Sequence, residues 1–311
     1  MATSLLTPET KRVRRRGVAQ DWRYAWIFLA PFLLLFLVFR IVPVAFAIGQ
    51  SLFKQTSSGT GFSAATVDFA GLSNYARALT DPTLLTAAGR VLLYGVVQVP
   101  VMLVLALAMA LLFDSGMVRL KRALQMFSFL PYAVPGVIGS ILWAFLYVPG
   151  ISPIVNALQT LHLPSDFLSP HAVLWSIANV TTWQWTGYNM IIIFSALQAL
   201  PRDIFEAAKL DGAGGWQVAM RIKVPLVFPA IVLTALFSII GTFQLFSEPM
   251  VLKTLTGNVT YNYTPNMFVY NLAFGTNDSH YAAAVSVVIA VATFLLSLGL
   301  LRLLQRGTEN D

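Results

Sequence analysis

The sequence predicts an all-α polytopic membrane protein with six transmembrane helices, and three observations support this fold class. Of the 311 residues, 57% are hydrophobic and 11% are charged, whereas soluble domains carry about 25% charged residues. Six apolar stretches each reach the roughly 20 residues that cross a bilayer as a helix. The basic residues gather in the connectors between these stretches, which is typical of membrane topology signals and argues against a nucleic-acid partner.

The predicted spans are apolar runs separated by connectors that are polar or contain Gly and Pro. They cover residues 25–50, 87–113, 123–148, 172–199, 227–249 and 281–303. Fifteen of the 20 Lys and Arg residues lie in the two tails and in the connectors after spans two and four, against three in the other connectors. By the positive-inside rule, both termini and the connector after span four face the cytoplasm.

These spans predict a simple organisation of the chain. It begins with a basic cytoplasmic tail (1–24), the first transmembrane helix (25–50) and an outward loop (51–86), continues with a five-helix core (87–303) that includes a cytoplasmic loop (201–226), and ends with a cytoplasmic tail (304–311). The first apolar stretch is too long for the apolar region of a cleaved signal peptide, so we expect a retained anchor. The basic tail either binds anionic membrane lipid or only sets the topology.

The sequence offers few residues for catalysis or metal binding. Cysteine is absent, which excludes disulfides and thiolate metal sites. The three histidines, His162, His171 and His280, do not have metal-ligand spacing, and no Gly-rich phosphate loop with its lysine is present. We therefore expect no catalytic residue, metal site or ATPase site, and a membrane protease or lipid-modifying enzyme is disfavoured. An ion-coupled secondary transporter stays open.

The connector after span four has the composition of two short helices. Pro201 ends the preceding span, and good helix formers follow at Arg202–Leu210. Gly212 offers a helix end with positive φ, and Trp216–Lys223 predicts a second helix that stops at Pro225. The pattern fits either a rigid knob for a partner protein or an amphipathic surface helix, and the spacing alone leaves both open.

This connector resembles the "EAA" loop of binding-protein-dependent ABC importer permeases. In that pattern Glu-Ala-Ala is followed after three residues by Gly, nine residues later by Ile, and then by Pro. The matching residues here are Glu206, Ala207, Ala208, Gly212, Ile222 and Pro225, with Asp211 and Ala213 beside the glycine. Ala219 and Lys223 depart from the usual bulky apolar residue and Thr. The resemblance implies the ABC type I importer permease (MetI-like) fold, with 201–226 as the ATPase-coupling loop.

Further segments are similar to the carbohydrate-type branch of that family, and to maltose-permease F-type and glycerol-3-phosphate-permease A-type subunits in particular. They are residues 69–75 (FAGLSNY), 130–135, 183–189 and 243–246. The resemblance implies a heterodimer with a second permease, two copies of an ABC ATPase that bind ATP and Mg, and an extracytoplasmic sugar-binding protein. It implies the bacterial cytoplasmic (inner) membrane and no cofactor in this chain. The solute, whether disaccharide, oligosaccharide, glycoside or glycerol-3-phosphate, stays open.

Polar and aromatic side chains in spans four and five predict the substrate path, because a sugar needs both hydrogen bonds and aromatic faces. The residues are Trp183, Gln184, Trp185, Tyr188, Asn189, Gln244, Phe246 and Glu248. Amides buried in lipid would lack partners, so these side chains should face the bundle interior, where the alternative role is to join helices. Gln244 and Glu248 should share a helix face. Glu248 binds a sugar hydroxyl or pairs with Arg40 of span one, and Arg90 anchors span two at the membrane interface.

Overall fold

The computed structural model describes residues 18–56 and 66–309, so most of the basic tail predicted at 1–24 lies outside the described residues. The chain divides into two units, residues 1–49 and 50–311. The described part of the first unit is one long apolar helix that includes the predicted first span. It consists of α1 (Val18–Phe36), a π-helical turn (Leu37–Ile41) and α2 (Val42–Ser51), whose last residues begin the second unit.

The second unit is almost entirely helical. Its elements in chain order are β1 (Phe53–Thr56), β2 (Thr66–Phe69), α3 (Ser73–Thr80), α4 (Pro82–Asp114), α5 (Lys121–Ala133), α6 (Gly136–Tyr147), α7 (Pro153–Thr160), α8 (Val173–Gln198), α9 (Arg202–Leu210), α10 (Gly215–Val218), α11 (Val224–Leu226), α12 (Phe228–Phe243), α13 (Ser247–Leu252), α14 (Pro265–Tyr270) and α15 (Ser279–Glu309). The sequence did not predict the hairpin, in which Phe53 pairs with Phe69 and Thr56 with Thr66.

Within the described residues, four helical segments are long and apolar enough to cross a membrane, and the bent pair α5–α6 makes a fifth if it counts as one span. The four segments are Tyr24–Ser51, Pro82–Asp114, Gly215–Leu252 and Ser279–Gly299. The remaining predicted span is α8, which has 26 residues. It is long enough to cross a bilayer, but buried polar residues such as Gln184 and Asn189 make it less apolar than the others.

Two predicted spans are interrupted rather than continuous. The predicted span 123–148 bends by 98° between α5 and α6, because Val134 precedes a proline and adopts an extended conformation. Pro135 then provides the N-cap of α6. The predicted span 227–249 breaks between Phe243 and Ser247. The prediction that Gln244 and Glu248 share one continuous helix face was therefore wrong, since Gln244 lies in the break.

The long helices α4 and α8 form the centre of the second unit and pack along much of their lengths. Near one end of this contact, the small side chains Ala106 and Ala110 of α4 meet Met190 and Ile193 of α8, and all four are buried. Small residues let membrane helices approach closely. The contact therefore fixes the two helices that carry most of the polar side chains described below.

The start of α4 is held by Asp81, and we predict that Asp81→Ala lowers stability by about 1–2 kcal/mol, as expected for a lost helix N-cap. Oδ1 of Asp81 accepts hydrogen bonds from the backbone N–H groups of Thr83 (2.8 Å) and Leu84 (3.3 Å). Oδ2 accepts one from the Tyr281 hydroxyl (2.8 Å). Thermal unfolding of the protein in detergent measures the loss, with Asp166→Ala in an exposed connector as the control.

The same carboxylate predicts a pH dependence. Burial acts to raise the pKa of Asp81, but hydrogen bonds from Tyr281, Thr83 and Leu84 together outweigh it and lower the pKa below the ordinary 3.8. The stabilisation is therefore complete above the unfolded-state pKa and is lost as the pH falls through the folded-state value. The difference in melting temperature between wild type and Asp81→Ala should shrink on acidification; a constant difference would contradict this assignment.

Candidate functional site

Polar side chains from three parts of the second unit surround a cavity of about 260 Å³. Its walls come from α4, from α8 and from the stretch between the last turns of α12 and the start of α13. The lining residues are Tyr94, Gln98, Met102, Thr181, Trp185, Phe237, Ser238, Gly241, Thr242, Gln244, Leu245, Ser247 and Glu248. Among these described residues, Glu248 is the one charged side chain. The cavity thus offers amides, hydroxyls and a carboxylate but no cation.

Some polar groups of the cavity bond to one another, and others are left for a ligand. The Tyr94 hydroxyl lies 2.5 Å from Oγ1 of Thr181, which ties α4 to α8. By contrast, the exposed side chain of Gln244 makes no hydrogen bond to another described residue. The partly buried carboxylate of Glu248 lines the same cavity. Gln244 and Glu248 are therefore available to bind hydroxyl groups that enter the cavity.

An aromatic cluster adjoins this polar surface. Trp185 is 41% exposed, and its ring centroid lies 5.2 Å from that of Tyr132 and 5.7 Å from that of Tyr188, edge-to-face in both cases. The rings of Tyr132 and Tyr188 stack at 4.5 Å. The two tyrosines hold the indole in place, so that Trp185 presents a fixed apolar surface beside the amides and hydroxyls of the cavity.

The structure brings together three of the eight residues predicted for the substrate path. Trp185, Gln244 and Glu248 line the cavity. The other five contact neighbouring residues of the bundle instead. Three are aromatic contacts: Trp183 with Trp143 (5.9 Å between ring centroids), Tyr188 with Tyr132, and Phe246 with Tyr270 (5.4 Å between ring centroids). Two are hydrogen bonds: Nε2 of Gln184 donates to the Val134 carbonyl (3.2 Å), and Nδ2 of Asn189 donates to the Trp185 carbonyl (3.1 Å). Gln184 thus joins α8 to the bend between α5 and α6.

Several polar residues of the cavity wall were not predicted from the sequence. Tyr94 and Gln98 lie one turn apart on α4, and the cost of an amide inside a membrane would have singled out Gln98 by the argument applied to span four. Thr181, Ser238 and Thr242 gave no such signal. Hydroxyls of this kind hydrogen-bond to carbonyls of their own helix, as Thr242 does to Ser238 at 3.0 Å, and are common in any membrane helix.

The loop at 201–226 has the predicted first helix, with α9 at Arg202–Leu210. Gly212 has φ +84°, as predicted. The N–H of Gly212 donates to the Lys209 carbonyl (3.0 Å) and that of Ala213 to the Ala208 carbonyl (2.9 Å). This is the Schellman arrangement, which satisfies the last carbonyls of a helix and requires a left-handed residue. The turn after α9 is therefore well defined by hydrogen bonds.

The second helix of the loop differs from the prediction that it stops at Pro225. It begins with α10, widens into a π-helical turn at Ala219–Lys223 and continues through α11. In that turn the N–H of Val224 donates to the Ala219 carbonyl, five residues back. Proline clashes with the carbonyl four residues before it in a regular helix. The wider turn accommodates Pro225, so the loop leads into α12 with only a short irregularity at Val227.

The residues that match the EAA pattern form an accessible surface. Glu206, Ala207, Asp211, Gly212 and Pro225 are exposed, and Ala208, Ala213 and Ile222 are partly buried. A groove of about 350 Å³ follows the turn, lined by Asp211, Gly212, Ala213, Gln217, Arg221 and Ile222. Leu210 and Trp216 beside it are 90% and 74% exposed. This surface combines exposed apolar side chains with a groove, as protein-binding surfaces do.

Arg90, which was predicted to anchor span two at the membrane interface, and His280 both contact backbone carbonyls of distant segments. Nη1 of Arg90 donates to the Tyr263 carbonyl (2.6 Å), and the guanidinium lies 4.2 Å from the centroid of the Tyr263 ring. It therefore holds the segment before α14 to α4, rather than serving only as an interface anchor. Nδ1 of His280 lies 3.0 Å from the Gln50 carbonyl. Among the described residues, no group of three or more His, Asp or Glu side chains could hold a metal ion.

Apolar helices long enough to cross a membrane, a polar cavity between them and an exposed helical loop form an architecture suited to a transport permease. The chain belongs to the family of binding-protein-dependent transport system inner membrane components, whose family model matches residues 102–310. It is therefore a multi-pass membrane component of a bacterial ABC transporter.

Relatives and a solved structure agree with this family. The chain is 33% identical over 279 residues to the lactose transport system permease protein LacF of Rhizobium radiobacter, covering 88% of this chain and 91% of that protein. It is 28% identical over 283 residues to the arabinooligosaccharides transport system permease protein AraP of Bacillus subtilis (strain 168), covering 89% and 87%. A crystal structure of a bacterial alginate ABC transporter, in complex with an alginate pentasaccharide-bound periplasmic protein, has the same fold, with a TM-score of 0.77, 20% identity and coverage of 94% and 96%.

Proposed function

We propose that this chain is the permease subunit of an ATP-driven sugar importer and forms half of the path that the sugar crosses. The observation that carries the proposal is the cavity beside Trp185, where Gln98, Gln244 and Glu248 face the same space. Sugars present hydroxyls for hydrogen bonds and C–H faces for contact with aromatic rings, and this wall offers both. Relatives named for lactose and for arabinooligosaccharides support a saccharide as the solute.

The volume of the cavity supports a path that a second permease subunit completes. Small-molecule sites are typically about 300–1,000 Å³ and bury most of the ligand, whereas this cavity holds about 260 Å³. A disaccharide or longer sugar therefore needs a second wall, which we assign to a second, unlike permease subunit. The described residues that line the cavity include no Lys or Arg. Because a phosphate group binds best to basic side chains, this lining does not favour glycerol-3-phosphate.

Transport is driven in this proposal by two copies of a partner ATPase, which bind ATP and Mg, while this chain has no ATPase site and no cofactor. The exposed surface of residues 201–226 seats in a cleft of one ATPase subunit, with Glu206 pairing with a basic group there. ATP-driven closure of the ATPase then moves α9 and the second helix of the loop (α10 to α11) as a rigid body. The two permeases thereby switch between a state that is open to the outside and a state that is open to the cytoplasm.

The orientation follows from the distribution of basic residues. Both termini and the coupling loop face the cytoplasm, and the connectors that include the hairpin β1–β2 face outward, toward an extracytoplasmic sugar-binding protein. The protein then resides in the bacterial cytoplasmic (inner) membrane. The basic segment at 1–24 either sets this topology alone or also binds anionic lipid of the inner leaflet.

Co-purification tests the proposal as a whole. A tagged chain is extracted from its native membrane in mild detergent, and its partners are identified by mass spectrometry. We expect a second permease and an ABC ATPase, and the binding protein encoded for the same complex then identifies the sugar in a binding screen. Recovery of the chain alone, or uptake that an ionophore abolishes and ATP depletion leaves intact, would contradict the proposal and favour a secondary transporter.

The carboxylate in the cavity provides a local test: we expect Glu248→Gln to lower sugar uptake about tenfold. Hydrogen bonds to charged groups contribute about 1.5–3 kcal/mol, and the amide keeps the shape of the side chain but loses the charge. Uptake of the identified sugar into cells measures the effect, with Asp166→Asn in an exposed connector as the matched control. Equal uptake by Glu248→Gln and wild type would remove Glu248 from the path.

A further inference from the structure

An ion pair joins the proposed coupling loop to the end of α4. Nζ of Lys223, at the end of the π-helical turn, binds Oδ2 of Asp114, the last residue of α4. The two side chains are only 16% and 11% exposed. The described residues contain one other ion pair, between Arg77 and Asp278, and its side chains are 55% and 33% exposed. The pair of Asp114 and Lys223 is thus the shielded one, where charge pairing is least screened by water.

The two partners also reach α8 and α9. Nε2 of Gln198, the last residue of α8, donates to Oδ1 of Asp114 at 2.6 Å, so each carboxylate oxygen has one partner. Nζ of Lys223 lies 4.9 Å from the centroid of the Phe205 ring, which belongs to α9. Four helical segments therefore meet at one partly buried cluster, in which Asp114 at the end of α4 binds the end of α8, and Lys223 in the second half of the loop contacts Phe205 in the first half.

These connections run from the loop to the cavity. The helix that ends at Asp114 carries Tyr94 and Gln98, and the helix that ends at Gln198 carries Thr181 and Trp185 of the cavity wall. A helix transmits a displacement of its end along its length, and packed interfaces respond to such shifts as units. A loop tied to both ends thus moves the walls of the cavity together, whereas an untied loop would move by itself.

We propose that Asp114, Lys223 and Gln198 form a clamp that positions the coupling loop on the ends of α4 and α8. The clamp rests on the proposed function, since it requires that residues 201–226 contact the ATPase. Lys223 is a positioning residue in this arrangement: it orients the loop from behind, while the exposed surface around Gly212 meets the partner. Loss of either charge leaves the other partly buried and unpaired, which weakens the attachment of the loop to the bundle.

The test measures how tightly the ATPase subunit binds the purified permease pair, together with amide hydrogen exchange of residues 202–226. For Lys223→Met, which keeps the length of the side chain and its contact with Phe205, we expect at least tenfold weaker binding and at least tenfold faster exchange in the loop. Asp114→Asn keeps the contact with Gln198 and should give a smaller loss in the same direction. Arg119→Met, an exposed cation outside the loop, should bind the ATPase as wild type does.

The exchanged pair Asp114→Lys with Lys223→Asp separates a specific clamp from a general loss of stability. Gln198 can then present its amide oxygen to the lysine, and we expect ATPase affinity within about threefold of wild type. Wild-type affinity and exchange in Lys223→Met, or weak binding in the exchanged pair as well as in both single variants, would overturn the clamp.

Gly212→Asp distinguishes a failure of the clamp from a failure of the proposed function. If Gly212→Asp leaves ATPase binding unchanged, the loop does not contact the ATPase. If Gly212→Asp weakens binding and Lys223→Met does not, the clamp alone is wrong.

Discussion

Gly187→Ala is expected to prevent the chain from accumulating as a folded membrane protein. A Cβ atom at this position of α8 would lie 1.8 Å from the Ser128 carbonyl oxygen, 2.5 Å from its carbonyl carbon and 3.0 Å from Cα of Phe129. All three are backbone atoms of α5, so no rotamer change removes the clash. The two helices would have to separate, which costs more than the roughly 1–3 kcal/mol typical of a crowded core. The amount of chain in the membrane fraction and its melting temperature in detergent measure the effect.

Gly89→Ala is the matched control for this prediction. Gly89 also lies inside a long helix, α4, but a Cβ atom there would meet nothing within 4 Å. Alanine favours a helix over glycine by about 1 kcal/mol, so we expect normal accumulation and an equal or higher melting temperature. A Gly187→Ala protein with wild-type abundance and melting temperature would show that α5 and α8 do not approach as closely as described.

The sequence contained local signals that predicted much of the coupling loop. Pro201, the helix formers after it and Gly212 act on their own neighbours, so the helix Arg202–Leu210 and the positive φ at 212 could be predicted. The prediction that the second helix stops at Pro225 was wrong, because the helix continues through a π-helical turn that precedes the proline. The same signals were overlooked at Val134-Pro135, where a residue before proline leaves the helical region and the third span bends.

The side-chain partners could not be predicted, because they lie far apart in the chain. Lys223 was recognised as a departure from the family pattern, but its partner Asp114 lies 109 residues away. Gln184 was correctly expected to avoid lipid, yet it donates to the Val134 carbonyl at a bend that had not been predicted. The cost of a buried amide identifies the helix that faces the interior. Which neighbour satisfies the amide depends on how the helices pack, and the side-chain pattern of one helix does not contain that information.

The same limit applies to Gly187. A glycine inside a helix costs stability by itself and gives no indication of a neighbour, so the sequence offered it only as part of the segment at 183–189. Its role becomes clear from the backbone of α5 across the contact. Gly212, by contrast, has a role that follows from its own backbone conformation, and a substitution there tests the function of the loop rather than the packing of the bundle.

Gly212→Asp is expected to abolish sugar uptake, by about 100-fold or more, while the chain stays folded in the membrane. A Cβ atom at Gly212 meets nothing within 4 Å, and aspartate tolerates the left-handed conformation at a cost of roughly 1–2 kcal/mol. The turn after α9 therefore persists. The new carboxylate projects beside Asp211 in the groove that we assign to the ATPase contact, where it adds a second negative charge and fills space that the partner needs. Uptake of the identified sugar and the amount of chain in the membrane are measured together.

Two further variants show whether the loss comes from the charge of aspartate and whether it depends on the position of the substitution. Gly212→Asn has the size of aspartate and adopts the same left-handed conformation without the charge, so uptake should fall less than in Gly212→Asp.

Gly116→Asp makes the same substitution at a second exposed glycine with positive φ (+76°) and open space around it. It lies in the connector that follows Asp114, at the same end of the bundle but outside the loop. Because only the coupling loop is assigned to the ATPase, Gly116→Asp should keep at least half of the wild-type uptake. Equal losses at Gly116 and Gly212 would mean that negative charge at this end of the bundle is harmful in general, and wild-type uptake in Gly212→Asp would remove the loop from the coupling mechanism.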